Sequence, residues 1–132
     1  MRVREALLAD PRVLVPGAPA REAAELLAKP NVENVLVAHG DRLVGCVTTS
    51  GIVAAVAAGR DLRALTVADL ADPDVTTVDP EATLDEALHL MAEHGLERLP
   101  VTEDGRLLGV LAREPVLRRL AEDEPPEDQQ QV

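Results

Sequence analysis

Hydrophobic and polar positions follow the same order twice along this chain. When the sequence is offset by 64 positions, the separation of Pro16 and Pro80, residues 3–56 align with residues 67–120 without a gap. Apolar positions match even where identities differ. A repeat of about 60 residues is too long for a solenoid unit, which predicts two small α/β units. A single unit of this size buries little apolar surface, so we expect the two to pack together.

Each copy predicts the same order of elements. A short helical start and a brief extended run come first, followed by an amphipathic helix, two strands flanking a turn, and a closing helix. In the second copy, Thr83 and Glu86 form a capping-box signature at the start of the amphipathic helix, and Asp104-Gly105 is a hairpin turn signal. The predicted strands are Val35–Val37 and Leu43–Val47 in the first copy, and Leu99–Val101 and Leu107–Leu111 in the second.

This order of elements predicts an α+β fold in which each repeat is a small antiparallel sheet packed on two helices. We expect residues 1–60 to form the first repeat and residues 61–121 to form the second. Residues 122–132 are rich in Glu, Asp, Pro and Gln and have nothing to bury, which predicts a disordered acidic tail.

Composition excludes several classes of function. The chain has no Phe, Tyr or Trp, which excludes a platform that stacks single-stranded nucleic acid on aromatic rings. A net charge of −11 further disfavours polyanions, so we expect no nucleic-acid partner. The lone Cys46 lies in an apolar setting, which indicates a buried thiol in a reducing compartment. No apolar run approaches the ~20 residues needed to cross a bilayer, and we expect a cytoplasmic protein without membrane contact.

The residues that carry chemistry in other proteins are scattered here. His39 lies in a turn, and His89 and His94 lie on different sides of a helix, which argues against a metal site. The sequence shows no nucleophile with an orienting base and no Gly-rich phosphate loop. We therefore expect no enzymatic activity, no metal and no required cofactor.

Several short motifs, taken in their order, spacing and duplication, resemble a tandem CBS (cystathionine β-synthase) domain pair, also called a Bateman module. They are a Val-x-Pro-x-x-Thr-Leu-x-Glu-Ala segment at Val78–Ala87, a Leu-Pro-Val strand at Leu99–Val101, and the segments Gly45–Val47 and Gly109–Leu111. The resemblance covers residues 1–121. It implies two pseudo-symmetric CBS repeats in a regulatory, non-catalytic module, and such modules often form dimers.

The resemblance also implies a ligand. CBS pairs commonly bind adenosyl compounds of the AMP, ADP, ATP, S-adenosylmethionine or NAD class in the cleft between the repeats. The family sites use the extended segment before the first helix, the Leu-Pro-Val strand, and a Gly-x-x-Thr/Ser-x-x-Asp motif whose Asp hydrogen-bonds the ribose. The ligand-binding residues that this resemblance predicts in the chain are Asn34, Thr48, Ser50, Thr76, Thr77, Arg98, Pro100 and Arg113.

The chain departs from the last motif in both copies. Thr48 occupies the Thr/Ser position of the first copy, but Gly51 stands where the Asp is expected. In the second copy, Ala112 and Pro115 replace both residues. A hydrogen bond to a charged group contributes roughly 1.5–3 kcal/mol, so losing the carboxylate weakens ribose binding by about ten- to a hundredfold.

The remaining candidates each have a structural alternative. Thr48 either contacts a phosphate or caps the helix that follows it. Arg98 and Arg113 either bind an anion, or are solvated or paired with the neighbouring Glu97 and Glu114.

Two functions follow from these patterns. The first is a regulatory CBS pair that senses an adenosyl-type ligand and passes this state to a regulated protein partner. The alternative, suggested by Gly51 and Pro115, is a degenerate pair that acts as a nucleotide-independent dimerisation or scaffolding module. Under both, the apolar faces of the closing helices predict a homodimer.

Overall fold

The computed structural model describes residues 1–6, 8–9 and 12–123. The predicted acidic tail lies outside this range, apart from Glu122 and Asp123, which end the last helix. Within the described residues the chain forms five α-helices, five β-strands and two short 3-10 helices. In chain order the elements are a 3-10 helix at Val3–Glu5, β1 (Val13–Leu14), α1 (Ala20–Leu27), β2 (Asn34–His39), β3 (Arg42–Thr48), α2 (Thr49–Ala57), a 3-10 helix at Leu62–Ala64, α3 (Val67–Leu70), α4 (Leu84–His94), β4 (Arg98–Glu103), β5 (Arg106–Ala112) and α5 (Arg113–Asp123).

The chain divides into two compact units whose limits differ from those of the sequence repeats. What we call the first unit comprises Pro11–Thr76 and Asp104–Leu107; the second unit comprises Met1–Asp10, Thr77–Glu103 and Leu108–Val132. The division into repeats at residues 60 and 121 remains a prediction.

The first unit is built on the β2–β3 hairpin. These strands are antiparallel, with Asn34 opposite Thr48 at one end and His39 opposite Arg42 at the other. The turn contains Gly40 at φ +64°, a conformation that glycine adopts without strain. β1 adds a parallel strand beside β2, so the predicted antiparallel pair is part of a mixed sheet, whose strand order is β1-β2-β3-β5-β4. Helices α1, α2 and α3 contact one another, and α1 also contacts β2, while α2 and α3 contact β3.

The second unit contains α4, α5 and the β4 strand with most of β5. Helix α4 begins as predicted, because the Thr83 Oγ1 accepts a hydrogen bond of 3.1 Å from the Glu86 N–H. It ends at Gly95, which adopts the left-handed conformation that commonly ends helices. β4 and β5 are hydrogen-bonded neighbours. The buried core of this unit consists of Val3, Val78, Leu84, Ala87, Met91, Leu99, Val101, Leu111 and Val116.

Each unit completes its core with a segment from the other repeat. Val3 is fully buried in the second unit, and its repeat equivalent Val67 is fully buried in the first. The backbone contacts are equivalent as well. The Val3 N–H donates to the Ala82 carbonyl at 2.8 Å, and the Val67 N–H donates to the Ala18 carbonyl at 2.8 Å. The opening segments of the two repeats are therefore exchanged.

Candidate functional site

The predicted ligand-binding residues divide equally between the two units. In the first unit they are Asn34, Thr48, Ser50 and Thr76; in the second they are Thr77, Arg98, Pro100 and Arg113.

Thr48 caps helix α2. Its backbone is extended, and its Oγ1 accepts a hydrogen bond of 3.1 Å from the Gly51 N–H. Thr48 therefore caps α2, which is one of the two roles that the sequence allowed for it. A hydroxyl can donate while it accepts, so the cap leaves the Thr48 O–H able to donate to an incoming oxygen. Capping and ligand binding are thus compatible at this residue.

Two further predicted residues lie close to Thr48 in the fold. Asn34 is its register partner across the β2–β3 hairpin and is half-buried. Ser50 is exposed in the first turn of α2. This helix has nine residues and no acidic residue in its first turn. Free N–H groups and the helix dipole favour an anion at such an end. Thr76 is half-buried and makes no hydrogen bond to the other three within the described part of the chain.

In the second unit, both predicted arginines are exposed, and each is the first residue of an element. Arg98 starts β4, and Arg113 starts α5, where its backbone N–H donates to the Glu97 carbonyl at 2.8 Å. Neither guanidinium has a hydrogen bond or ion pair with a described residue. Glu114 instead pairs with Arg118, with 3.2 Å between Oε1 and Nη2. Among the described residues the two arginines are therefore exposed and not paired with Glu97 or Glu114, which leaves anion binding and solvation as the two alternatives.

Pro100 and Thr77 lie at a parallel bridge between Val78 and Val101. Pro100 is buried, and its carbonyl accepts a hydrogen bond of 3.0 Å from the Val78 N–H. The Pro100 carbonyl thus takes part in a backbone hydrogen bond between the two segments. Thr77, which is half-buried, comes directly before the bridge.

The second copy lacks both partners of the capping hydrogen bond seen in the first. Ala112, equivalent to Thr48, has no side-chain oxygen to accept it, and Pro115, equivalent to Gly51, has no N–H to donate it. The two replacements remove donor and acceptor together, so neither is left unsatisfied. The same segment borders a cavity of about 300 Å³ within the second unit. Its lining residues are Ala6, Leu8, Ala9, Ala112, Pro115, Val116, Arg118, Arg119 and Glu122.

Sequence reasoning missed this cavity. Its wall on α5 has a recognisable spacing, because Pro115, Arg118, Arg119 and Glu122 recur at three and four residues and share one helix face. The opposite wall comes from residues 6–9, more than 100 positions earlier in the sequence, and no local pattern connects the two.

Two ionisable groups of the described residues have a clearly shifted pKa. Burial raises the pKa of the Cys46 thiol, and the nearby charges of Asp72 and Asp74 raise it further. Hydrogen bonds from the Thr66 N–H and hydroxyl lower the pKa of the exposed Asp69 carboxyl. Neither group is a predicted site residue.

Within residues 1–6, 8–9 and 12–123, no group of three or more His, Cys, Asp or Glu side chains is arranged to hold a metal ion. None of the helices described there combines the length and the apolar character needed to span a membrane.

Comparisons with known proteins agree with this architecture. Hypoxic response protein 1 of Mycobacterium tuberculosis is 37% identical over 83 residues, which cover 62% of this chain and 58% of that protein. The crystal structure of Hypoxic Response Protein I with two coordinated zinc ions matches with a TM-score of 0.73 at 26% identity, covering 90% of this chain and 98% of that chain. The crystal structure of CBSX2 in complex with AMP matches with a TM-score of 0.70 at 28% identity, covering 92% of this chain and 97% of that chain.

The strongest assignment comes from the family model of the CBS domain. It matches twice, at residues 3–58 and 67–122, in agreement with the repeat found by offsetting the sequence. With both copies matched over most of its length, the chain belongs to the CBS domain family.

Proposed function

We propose that this chain is a regulatory CBS pair that binds an adenosyl-type ligand beside Thr48 and passes the bound state to a protein partner. The observation that carries the proposal is the position of Thr48 at the N-terminus of α2, in the Thr/Ser position of the family motif. The ligand class is AMP, ADP, ATP, S-adenosylmethionine or NAD. Support for this class comes from the AMP complex of CBSX2.

The chemistry around Thr48 suits a phosphate or another anionic group. The Thr48 hydroxyl accepts from Gly51 and retains its own proton for donation. The first-turn N–H groups of α2 add further donors, and the helix dipole favours negative charge there. Asn34, opposite Thr48, brings an amide that can both donate and accept.

The ribose contact is the weak part of this site. Gly51 offers no carboxylate, so we expect binding about ten- to a hundredfold weaker than with the Asp of the family motif. The remaining candidates, Ser50 and Thr76 in the first unit and Thr77, Arg98, Pro100 and Arg113 in the second, stay predicted contacts.

The proposed output is regulatory and not catalytic. A ligand that binds one conformation of the module more tightly shifts the population toward it, and a partner that recognises this conformation responds. The ligand is an effector here, and the proposal requires no cofactor. The buried Cys46 fits a reducing compartment such as the cytoplasm.

A second candidate function is a nucleotide-independent dimerisation or scaffolding module. The observation that favours it is the exposure of apolar side chains on the closing helices. Val53 and Val56 on α2 are 60% and 55% exposed, and Leu117 on α5 is 44% exposed. Val116, by contrast, is buried in the core of its own unit. Exposed apolar side chains of this kind favour association, and we propose a homodimer under both functions.

A thermal-shift screen separates the two functions. The protein would be heated with AMP, ADP, ATP, S-adenosylmethionine or NAD, each with and without Mg²⁺. A ligand at 100 times its Kd adds about 2.7 kcal/mol, or roughly 10 °C for a chain of this length. A selective shift supports the sensor. Flat curves at millimolar ligand, together with a dimer that ignores nucleotides in sedimentation, favour the scaffolding module.

Variants then test the site itself. Thr48→Val removes the hydroxyl with little change in shape, and Arg98→Ala removes a candidate phosphate contact. We expect the double variant to bind the effective ligand at least tenfold more weakly. Thr102→Val is the matched control, because Thr102 is also half-buried but lies within β4. If the double variant binds as tightly as the parent, the site assignment is wrong.

A further inference from the structure

We propose that Arg42 and Arg106 form a binding site for a phosphate group, beside the turn at the start of β3. Both residues belong to the first unit, which includes Asp104–Leu107. Thr48 lies at the other end of β3, about 20 Å away along an extended strand. Neither arginine is a predicted adenosyl contact, so the proposal is independent of the function proposed above.

The backbone places the two arginine side chains next to each other. Arg42 and Arg106 are direct partners across the antiparallel pair of β3 and β5. Backbone hydrogen bonds flank them: the Leu43 N–H donates to the carbonyl before Arg106 at 3.0 Å, and the Leu107 N–H donates to the carbonyl before Arg42 at 2.6 Å. This pattern defines the narrow type of antiparallel pair, whose Cα atoms lie about 4.5 Å apart. Both side chains therefore leave the same face of the sheet at close range.

His39 extends this row of side chains on the other side of Arg42. It is the register partner of Arg42 across the β2–β3 hairpin and therefore shares its face of the sheet. All three side chains are exposed. Because neighbouring strands lie about 4.8 Å apart, three side chains that can donate N–H bonds begin within about 10 Å of one another.

The charges of the two arginines are not equally compensated. The Arg106 Nη1 lies 3.4 Å from the Asp41 Oδ2 in an exposed ion pair. The repeat equivalent of Asp41 is Gly105, which has no carboxylate to offer Arg42. The Arg42 Nη1 instead lies 3.2 Å from the point that a Cβ of Gly105 would occupy. Within the described part of the chain Arg42 has no ion pair, so an incoming anion would do for Arg42 what Asp41 does for Arg106.

A phosphate group suits this pair because both arginines can bind it together. The planar guanidinium group binds phosphate oxygens in pairs, and like charges directly opposite each other across a ladder are destabilising until an anion lies between them. Arg106 uses one of its five N–H donors on Asp41 and keeps the others.

Nearby carboxylates limit the affinity of the site. Asp41 opposes the anion, as do the exposed Glu103 and Asp104 just before Arg106. The net charge of −11 contributes less, because charges beyond about 8 Å are largely screened at physiological salt. We therefore expect a weak site with a Kd in the millimolar range, as is typical of exposed ion pairs.

The test is an NMR titration of the ¹⁵N-labelled full chain in which inorganic phosphate replaces chloride at constant ionic strength. We expect saturable shifts of the Nε–Hε signals of Arg42 and Arg106 and of the amides of Leu43 and Leu107. Equal responses to chloride and phosphate, or shifts confined to Thr48, would overturn the proposal. Ribose 5-phosphate is the second ligand. If it binds as tightly as inorganic phosphate, the site accepts the phosphate group of an ester; if it does not, the site takes the free ion.

Variants with opposite expected effects complete the test. Arg42→Gln should weaken phosphate binding about fivefold, whereas Asp41→Asn removes a competing carboxylate and should strengthen it about threefold. Arg21→Gln is the control, because Arg21 also lies in the first unit and forms an exposed ion pair with Glu25. Unchanged binding in Arg42→Gln, or weaker binding in Asp41→Asn, would show that phosphate is not held by this pair.

Discussion

Gly45 lies directly against the backbone carbonyl of Asp72: a Cβ built on Gly45 would be 2.5 Å from that oxygen. Two backbone hydrogen bonds between Cys46 and Asp72, of 2.9 and 2.8 Å, hold the segments together. The repeat equivalent Gly109 lies against the Leu8 side chain: a Cβ built on Gly109 would be 2.7 Å from the Leu8 Cβ. The glycine that opens each Gly-hydrophobic-hydrophobic segment thus makes room for the chain that passes over it.

The first prediction concerns this close approach. Gly45→Ala forces the new methyl group against a carbonyl that is fixed by its hydrogen bond, and we expect about 1–3 kcal/mol of destabilisation. Urea unfolding measures the change. Gly17→Ala is the matched control, since a Cβ there meets nothing within 4 Å and the stability should change by no more than about 0.5 kcal/mol. Equal effects at both glycines would contradict the explanation.

The second prediction tests the exchanged segments. Val3 and Val67 are each 0% exposed in the cores of their units. Truncating either to alanine removes two buried methyl groups and leaves a cavity, so Val3→Ala and Val67→Ala should each cost about 1.5–3 kcal/mol. Val15→Ala is the control, because Val15 is 62% exposed.

Hydrogen exchange gives the more specific measurement for these variants. Val3→Ala should lower protection at Leu84 and Met91, which share its core, more than at Val47 in the first unit. Val67→Ala should give the reverse pattern. If each substitution instead loosened only its own sequence repeat, the exchange of segments would be refuted.

The third prediction restores a carboxylate to the adenosyl site. A Cβ on Gly51 would meet only the Thr48 Oγ1, at 3.4 Å, which is an ordinary contact. The site therefore accommodates Gly51→Asp, and an acidic residue in the first turn of α2 suits the helix dipole. We expect AMP to bind about tenfold more tightly. Isothermal titration calorimetry measures this change, and Gly51→Asn controls for shape without charge. Equal affinities for the Asp and Asn variants would exclude a charged ribose contact.

The fourth prediction follows from the raised pKa of Cys46. Burial disfavours the thiolate, so the folded pKa exceeds the unfolded one, whose ordinary value is 9.0. The contribution to stability is complete below the unfolded pKa and is lost as the pH rises through the folded pKa. Unfolding free energies measured from pH 7 to pH 10.5 should therefore decline above about pH 9.

The composition of the chain limits the number of other groups that titrate between pH 7 and pH 10.5. There is no tyrosine, and Lys29 is the single lysine, so few other side chains titrate in this range. Cys46→Ala should flatten the decline at alkaline pH. A decline of the same size in this variant would assign it to other groups.

The sequence predicted the local parts of the fold well. The hairpins, the helix start at Thr83 and the CBS family all follow from periodicity, capping and repetition, which depend on neighbouring residues. The exchange of Val3 and Val67 between units was not foreseen, because an apolar residue in a short helical start has no signal that names its partner. The repeat pattern alone is consistent with each segment packing on its own repeat.

At the candidate site, too, the sequence predicted the local features but not the contacts between residues that are distant in the sequence. The motif alignment identified Thr48, and the structure added the register partner Asn34 and the hydrogen bond to Gly51. The loss of both partners at Ala112 and Pro115 was visible in the sequence as a departure from the family. That this departure borders a cavity also depends on Leu8 and its neighbours, which only the folded chain brings there.

The exchange of opening segments has a consequence for the order of folding during synthesis. Val3 is translated about 80 residues before Leu84 and still longer before Leu111, with which it shares a core. Val3 therefore stays without its core partners until residues of the second repeat have been made. The core of the first unit is likewise incomplete until Val67 has been translated. If the gene were divided between the repeats, each fragment would lack the opening segment that completes its core, Val67 for one and Val3 for the other. Only co-expression of the two fragments would then restore two complete cores.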